Sequence, residues 1–185
     1  MQEIIWHGRG GQGVVVASSM LGTTMAIYEK KYAMSIPRFG GERRDAPLIA
    51  ITRISDSLIR RRDLVVDPDY VIILDDSLTS NAMNGLSHDK PRHVIVNSKK
   101  SAVDLGLTEW QPLTIVDAVT IALDVIGRPI TNAVMLGVFA AATGLAQLDS
   151  VKKGIADVLP REVAAKNVAA AEEGYNKVIV PVRKG

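Results

Sequence analysis

The feature that most constrains this chain is a glycine loop between an apolar run and a long helical pattern. His7-Gly8-Arg9-Gly10-Gly11-Gln12-Gly13 follows Ile4-Ile5-Trp6 and precedes residues 14–29, which favour helix. A strand, a glycine turn and a helix in that order form a phosphate-binding corner. Glycine lets the backbone turn tightly and approach an anion, and the helix start presents free N–H groups with about half a positive charge. Gly8, Gly10 and Gly13 fit G-x-G-x-x-G, with Gly11 as an extra glycine. Two readings are open: a seat for an anionic ligand, or glycines that only let the helix pack close to the strand. A nicotinamide dinucleotide is disfavoured. It needs an acid at the end of the second strand, about 20 residues on, and residues 30–35 read Lys-Lys-Tyr-Ala-Met-Ser.

The chain has 185 residues, 47% of them hydrophobic, enough for one buried core, so residues 1–185 are expected to form one domain. With only 4% aromatic residues, that core is expected to be aliphatic. A net charge of +2 points to neither nucleic acid nor membrane as a partner. No apolar run reaches the ~20 residues of a membrane span, and the first residues read as a strand, not a signal peptide. The chain contains no cysteine, which excludes disulfides, cysteine-ligated iron–sulfur clusters and a thiol nucleophile in it. His7, His88 and His93 lack the helical spacing of a zinc site. A reducing compartment is compatible with this composition, and a cytoplasmic location is expected.

Apolar segments alternate between strand and helix character. Residues 3–7 read as a strand, and residues 14–29 as a helix carrying Ala17, Leu21, Met25 and Tyr28 on one face. Residues 32–36 form an extended piece ended by Pro37, residues 46–54 a strand, and residues 58–61 a possible hairpin arm after Ser55-Asp56-Ser57. Tyr70-Val71-Ile72-Ile73-Leu74 is uniformly apolar, as a central parallel strand buried on both faces should be, and residues 93–96 repeat this. Residues 116–126, 131–143, 148–158 and 161–177 favour helix, and residues 178–182 read as a last strand or docked tail. The pattern is α/β: a three-layer α/β/α, Rossmann-like fold with a mostly parallel sheet and a helical C-terminal region.

A second segment carries chemistry. In residues 35–47, two prolines and Gly40-Gly41 mark an irregular stretch, and Arg38, Arg43 and Arg44 are a candidate anion clamp. Equally, Glu42 and Asp45 can pair with those arginines in a surface loop. Asp75-Asp76 ends a buried strand and can bind magnesium or cap the next helix; Ser77 and Thr79 beside it favour the cap. Thr131 or Asn132 reads as a helix start, and the small residues in 137–144 as a close helix contact.

Several of these stretches, in order over nearly the whole chain, resemble the gamma subunit (or gamma domain) of 2-oxoacid:ferredoxin oxidoreductases. They are the loop from His7 to Gly13, Pro37-Arg38-Phe39-Gly40-Gly41-Glu42-Arg43-Arg44-Asp45-Ala46-Pro47, Arg53-Ile54-Ser55-Asp56, Thr131-Asn132-Ala133-Val134-Met135-Leu136-Gly137, and Lys166-Asn167 with Gly174-Tyr175. Arg9 within the loop and Glu42-Arg43-Arg44 resemble the pyruvate branch most. Asp45 departs from it, since glycine is common there. The resemblance implies a pyruvate synthase reaction: pyruvate, coenzyme A and oxidised ferredoxin give acetyl-CoA, carbon dioxide and reduced ferredoxin. It implies that thiamine diphosphate, magnesium and iron–sulfur clusters sit on alpha, beta and ferredoxin-like delta subunits, with ferredoxin met only indirectly. For this chain it implies assembly and contact with coenzyme A, with no catalytic residue. Candidate contacts are Gly8, Arg9, Gly10, Gly11, Gln12 and Gly13, then Arg38 and Arg43; Lys30 and Lys31 are further cations for a second phosphate. The alternatives are the same subunit in a 2-oxoglutarate, branched-chain or indolepyruvate enzyme, a ligand-free scaffold, and a free-standing nucleotide-binding protein.

Overall fold

The computed structural model describes residues 1–39, 46–86 and 91–178. Arg43 with its neighbours Glu42, Arg44 and Asp45, His88, and residues 179–182 lie outside them. The elements run β1 (Gln2–Arg9), α1 (Val14–Thr23), β2 (Tyr32–Phe39), β3 (Pro47–Ser55), β4 (Tyr70–Ile73), α2 (Thr79–Asn84), β5 (His93–Asn97), β6 (Leu113–Val116), α3 (Ala118–Ile126), α4 (Asn132–Thr143), α5 (Leu148–Val158) and α6 (Arg161–Lys177). The strands pair in the order β2-β3-β1-β4-β5-β6. β1, β4, β5 and β6 are parallel, and β3 is antiparallel to both β1 and β2.

The two sheet faces carry unequal layers. Ile4, Trp6, Ile72 and Ile95 point into a core closed by α1, α3, α4, α5 and α6. The alternate residues Val71, Ile73, Val94 and Val96 pack on α2 and Leu107. Side chains alternate across a strand, so apolar residues at every position of β4 require cover on both faces. The first core is aliphatic around a small aromatic centre. Phe139 stands 6.2 Å from Trp6 and 5.7 Å, edge-on, from Tyr70. A buried polar ladder fastens α1 to the sheet. Trp6 Nε1 donates to Thr52 Oγ1 at 3.1 Å, Thr52 Oγ1 meets Ser18 Oγ at 2.9 Å, and Ser35 Oγ donates to the Ser18 carbonyl at 2.7 Å.

The first helix is α only to Thr23 and closes in a π-helical turn, Thr24–Tyr28. That turn lies where α5 comes closest: a Cβ on Gly154 would stand 2.1 Å from Thr24 Oγ1. β2 continues through Pro37 instead of ending before it. It is the edge strand, where a missing N–H costs no ladder bond on the open side. Residues 58–61 form no strand. The Arg61 carbonyl accepts from the fully buried Arg53 guanidinium at 2.6 Å, so it is not available to a strand ladder. Residues 116 and 117 are not helical. Val116 ends β6, and the Asp117 carboxylate caps α3 by accepting the Thr120 N–H at 3.1 Å. Helix α4 is buried from Asn132 to Ala140, and its glycine explains the close contact: a Cβ on Gly137 would stand 1.9 Å from the Ala171 carbonyl oxygen of α6.

Candidate functional site

After β1 the chain passes to the α1 face of the sheet, and after β4 to the α2 face. The gap between the C-terminal ends of β1 and β4 is therefore a topological switch point, where open α/β sheets bind ligands. The glycine loop lies at that gap. Gly13 ends it with φ 77°, and among the described residues no side chain caps α1.

The glycines divide into two kinds. A Cβ on Gly8 would stand 2.4 Å from Val14 Cγ2, and one on Gly13 would stand 2.6 Å from Asn132 Nδ2. These two allow close packing. Gly11 has φ 93°, and among the described residues nothing stands within 4 Å of an added Cβ, at the mouth of the loop. Gly10 N–H donates to the Ala46 carbonyl at 3.0 Å, tying the loop to the end of the irregular segment.

Arg9 and Gln12 shape the loop from within. Gln12 Oε1 accepts the Arg9 N–H at 2.7 Å, and Gln12 Nε2 donates to Asp75 Oδ2 at 2.9 Å. Arg9 Nε pairs with the same oxygen at 3.1 Å, and its Nη2 donates to Ser77 Oγ at 2.9 Å. Asp75 also accepts the Ser77 N–H at 3.1 Å, so it caps the short 3-10 turn Asp76–Leu78. Burial alone would raise the Asp75 pKa. The hydrogen bonds from Ser77 and Gln12 and the Arg9 charge outweigh it and hold the carboxyl below its ordinary value. The β1–β4 gap is thus bridged by an ionised carboxylate that neutralises Arg9. Beside it, a crevice of about 440 Å³ is lined by Gln12, Asp75, Asn97, Ser98, Lys99 and Asp117 among others. Lys99 pairs with Asp117 at 3.3 Å and Lys100 with Asp76 at 3.2 Å. Among the described residues, no group of three or more His, Asp or Glu side chains is placed to hold a metal ion.

The other expected cations lie elsewhere. Arg38 is in register with Ile49, and Ile49 with His7. All three therefore share the sheet face away from α1, with Arg38 two strands, about 10 Å, from β1. There its Nη2 donates to the Arg62 carbonyl at 3.4 Å, and its Nε is buried without a partner among the described residues. Lys30 and Lys31 are at the opposite end of the strands from the loop, because α1 and its closing turn carry the chain back along the sheet to the start of β2. Lys31 pairs with Asp56, and Lys30 Nζ donates to the Ile27 carbonyl at 2.7 Å. They do not join the loop. His7 has its pKa pushed down to about 4 by burial, so its imidazole is neutral near pH 7.

Sequence reasoning gave two residues here only a minor part or none. Asn97 donates to the Leu74 carbonyl and accepts the Ala118 N–H, each at 2.9 Å, joining β4 to the start of α3. Asn132 places the start of α4 against Gly13. An amide side chain ending a buried strand or opening an apolar helix was the available signal for both.

The family model described as pyruvate ferredoxin/flavodoxin oxidoreductase matches residues 3–177. Pyruvate synthase subunit PorC of Methanocaldococcus jannaschii is 43% identical over 181 residues, covering 97% of this chain and 98% of that protein. The pyruvate/ketoisovalerate oxidoreductases common subunit gamma of Thermococcus kodakarensis is 44% identical over 185 residues, covering 97% and 98%. The crystal structure of pyruvate oxidoreductase subunit PORC from Thermotoga maritima superposes with a TM-score of 0.80 at 35% identity, covering 95% of each chain. The chain belongs to the pyruvate ferredoxin/flavodoxin oxidoreductase family.

Proposed function

We propose that this chain, as one gamma domain over residues 1–185, is the gamma subunit of a multi-subunit pyruvate:ferredoxin oxidoreductase. That enzyme oxidatively decarboxylates pyruvate to acetyl-CoA and passes the electrons to ferredoxin. Thiamine diphosphate, magnesium and the iron–sulfur clusters belong to the alpha, beta and ferredoxin-like delta subunits. A chain without cysteine has no thiolates for such clusters. The role of this subunit is assembly and contact with coenzyme A, through the loop from Gly8 to Gly13. The carrying observation is the start of α1: at the switch point, with no side-chain cap among the described residues, behind a Gly11 that none of them crowds. A helix end of this kind favours phosphate oxygens.

A second reading concerns the substrate. The T. kodakarensis relative is by its name common to pyruvate and ketoisovalerate oxidoreductases, so one gamma chain serving two 2-oxoacid enzymes is the alternative. Affinity purification of this chain from its native lysate under anaerobic conditions separates the readings. Coenzyme A-dependent dye reduction with pyruvate alone supports the first, and equal activity with 2-ketoisovalerate the second. The loop contact has its own test. Gly11→Val in the assembled enzyme is expected to raise the KM for coenzyme A about ten-fold or more, by forcing a strained φ and placing a side chain where the ligand approaches. An unchanged KM removes the loop from the coenzyme A site.

A further inference from the structure

The sheet face away from α1 has a helix over only part of its width. There α2 packs against β4 and β5. Over β1, β3 and β2 the cover among the described residues is the irregular segment 56–69, between β3 and β4. Two arginines of the sheet hold that segment by its backbone. Arg53 donates to the Arg61 carbonyl at 2.6 Å and the Asp63 carbonyl at 2.8 Å, and Arg38 donates to the Arg62 carbonyl at 3.4 Å. Between these arginines, the row Ile36–Ile51–Ile5 crosses the three strands on the same face. A sheet face this apolar calls for a full covering layer.

The segment is exposed on its outer side. Leu58, Arg60, Arg62, Leu64 and Val66, alternate residues of one short stretch, are all exposed. Arg61 pairs with Asp63 at 2.5 Å. The side chains of Arg60 and Arg62 have no partner among the described residues. Two unpaired cations thus stand between solvated apolar side chains, and such a cluster marks surface that another molecule completes. The charges restrict what that molecule is. Covering Leu58, Leu64 and Val66 takes Arg60 and Arg62 out of water, and a buried guanidinium without a carboxylate is strongly unfavourable. The occupant must bring carboxylates among its own apolar side chains. A second copy of this chain, related by a two-fold axis, brings the same cations to the contact. The occupant is therefore a different chain.

We propose that residues 58–66 dock an acidic and apolar surface of another subunit of the assembled oxidoreductase, whose carboxylates pair with Arg60 and Arg62. This rests on the subunit reading above. The test is competition between native and variant chains, differently tagged and co-expressed with the partner subunits, read as their ratio in the purified active complex. Arg60→Glu combined with Arg62→Glu is expected to enter the complex about ten-fold or more less than the native chain, and Arg60→Lys combined with Arg62→Lys to retain most of its share. In the native complex, a photo-reactive residue placed at Leu64 is expected to cross-link to a partner-subunit peptide that contains Asp or Glu. That cross-link is made with both arginines in place, so it decides the matter even where the charge reversals impair folding. Equal incorporation of the Glu variant overturns the docking surface and leaves the subunit reading intact. Equal loss in the Lys and Glu variants overturns the charge pairing. A cross-link to a second copy of this chain overturns the choice of occupant. A native chain that enters no complex overturns this proposal and the subunit reading together.

Discussion

His7 shows how one residue is read differently before and after folding. In the sequence it opens the glycine motif; in the structure its ring faces away from the loop corner, on the sheet face it shares with Ile49 and Arg38. Burial lowers its pKa to about 4 from 6.5. The folded state therefore binds this proton more weakly than the unfolded chain. Its contribution to stability is complete above pH 6.5 and is lost as pH falls toward 4. Stability is expected to drop by up to about 3 kcal/mol across that window. Urea denaturation at low protein concentration, from pH 7 to pH 4, measures it. His7→Gln should flatten the slope, and an unchanged slope would assign the loss to other groups. The carboxylates Asp75 and Asp117 are held below their ordinary values. Their contribution is present above the unfolded carboxyl pKa and is lost at lower pH than the His7 window. Arg53 is a second residue that the fold redefines. It is wholly buried, pairs with Glu3 at 2.7 Å and Asp63 at 3.1 Å, and reaches the Arg61 and Asp63 carbonyls. It holds the segment after β3 against the sheet face away from α1.

Among the elements, α4 governs the packing. It is buried from Asn132 to Ala140 and touches α6 through glycines on both sides. The Gly137 position faces the Ala171 carbonyl, and a Cβ on Gly174 would stand 2.6 Å from the Val134 carbonyl. Backbone oxygens cannot swing aside as a flexible side chain can. Gly137→Ala is expected to cost about 3 kcal/mol or more by forcing the helices apart. The check is the midpoint of chemical denaturation. A loss below about 0.5 kcal/mol would mean that α6 moves freely. The same element also carries Asn132 against Gly13 of the loop. The small residues of 137–144 signalled a close contact from the sequence, but which helix they meet depends on tertiary packing.

For the whole molecule, exposed apolar side chains gather on the segment after β3. Leu58 and Leu64 are each 62% exposed and Val66 is 49% exposed. Solvated apolar clusters on a subunit mark surface that a partner covers. The chain made alone is expected to self-associate, and co-expression with its partner subunits should suppress this. Light scattering on the size-separated species measures it. A chain that stays monomeric at high concentration would count against an obligate-subunit role. Among the described residues no helix is long and apolar enough to cross a membrane.

Local order in the chain was enough to determine the strand–glycine loop–helix corner, the uniformly apolar β4 and β5, and the C-terminal helices. Each rests on periodicity, glycine and proline, which act within a few residues of themselves. The resemblance to the gamma subunit rested on motifs in order along the chain, and the family comparisons bear it out. Element ends and short pieces were less legible. β6 has four residues beside Pro112, and β2 runs through Pro37 only because it lies at the sheet edge. Tertiary structure alone decided which charges meet. Asp75 lies 66 residues from Arg9 in the sequence, yet the parallel pairing of β1 with β4 sets them 3.1 Å apart. The return of the chain along α1 removes Lys30 and Lys31 from the same corner. Asn132 reaches Gly13 because α4 threads through the core, a path fixed by the burial of its apolar surface and invisible in the spacing of residues along the chain.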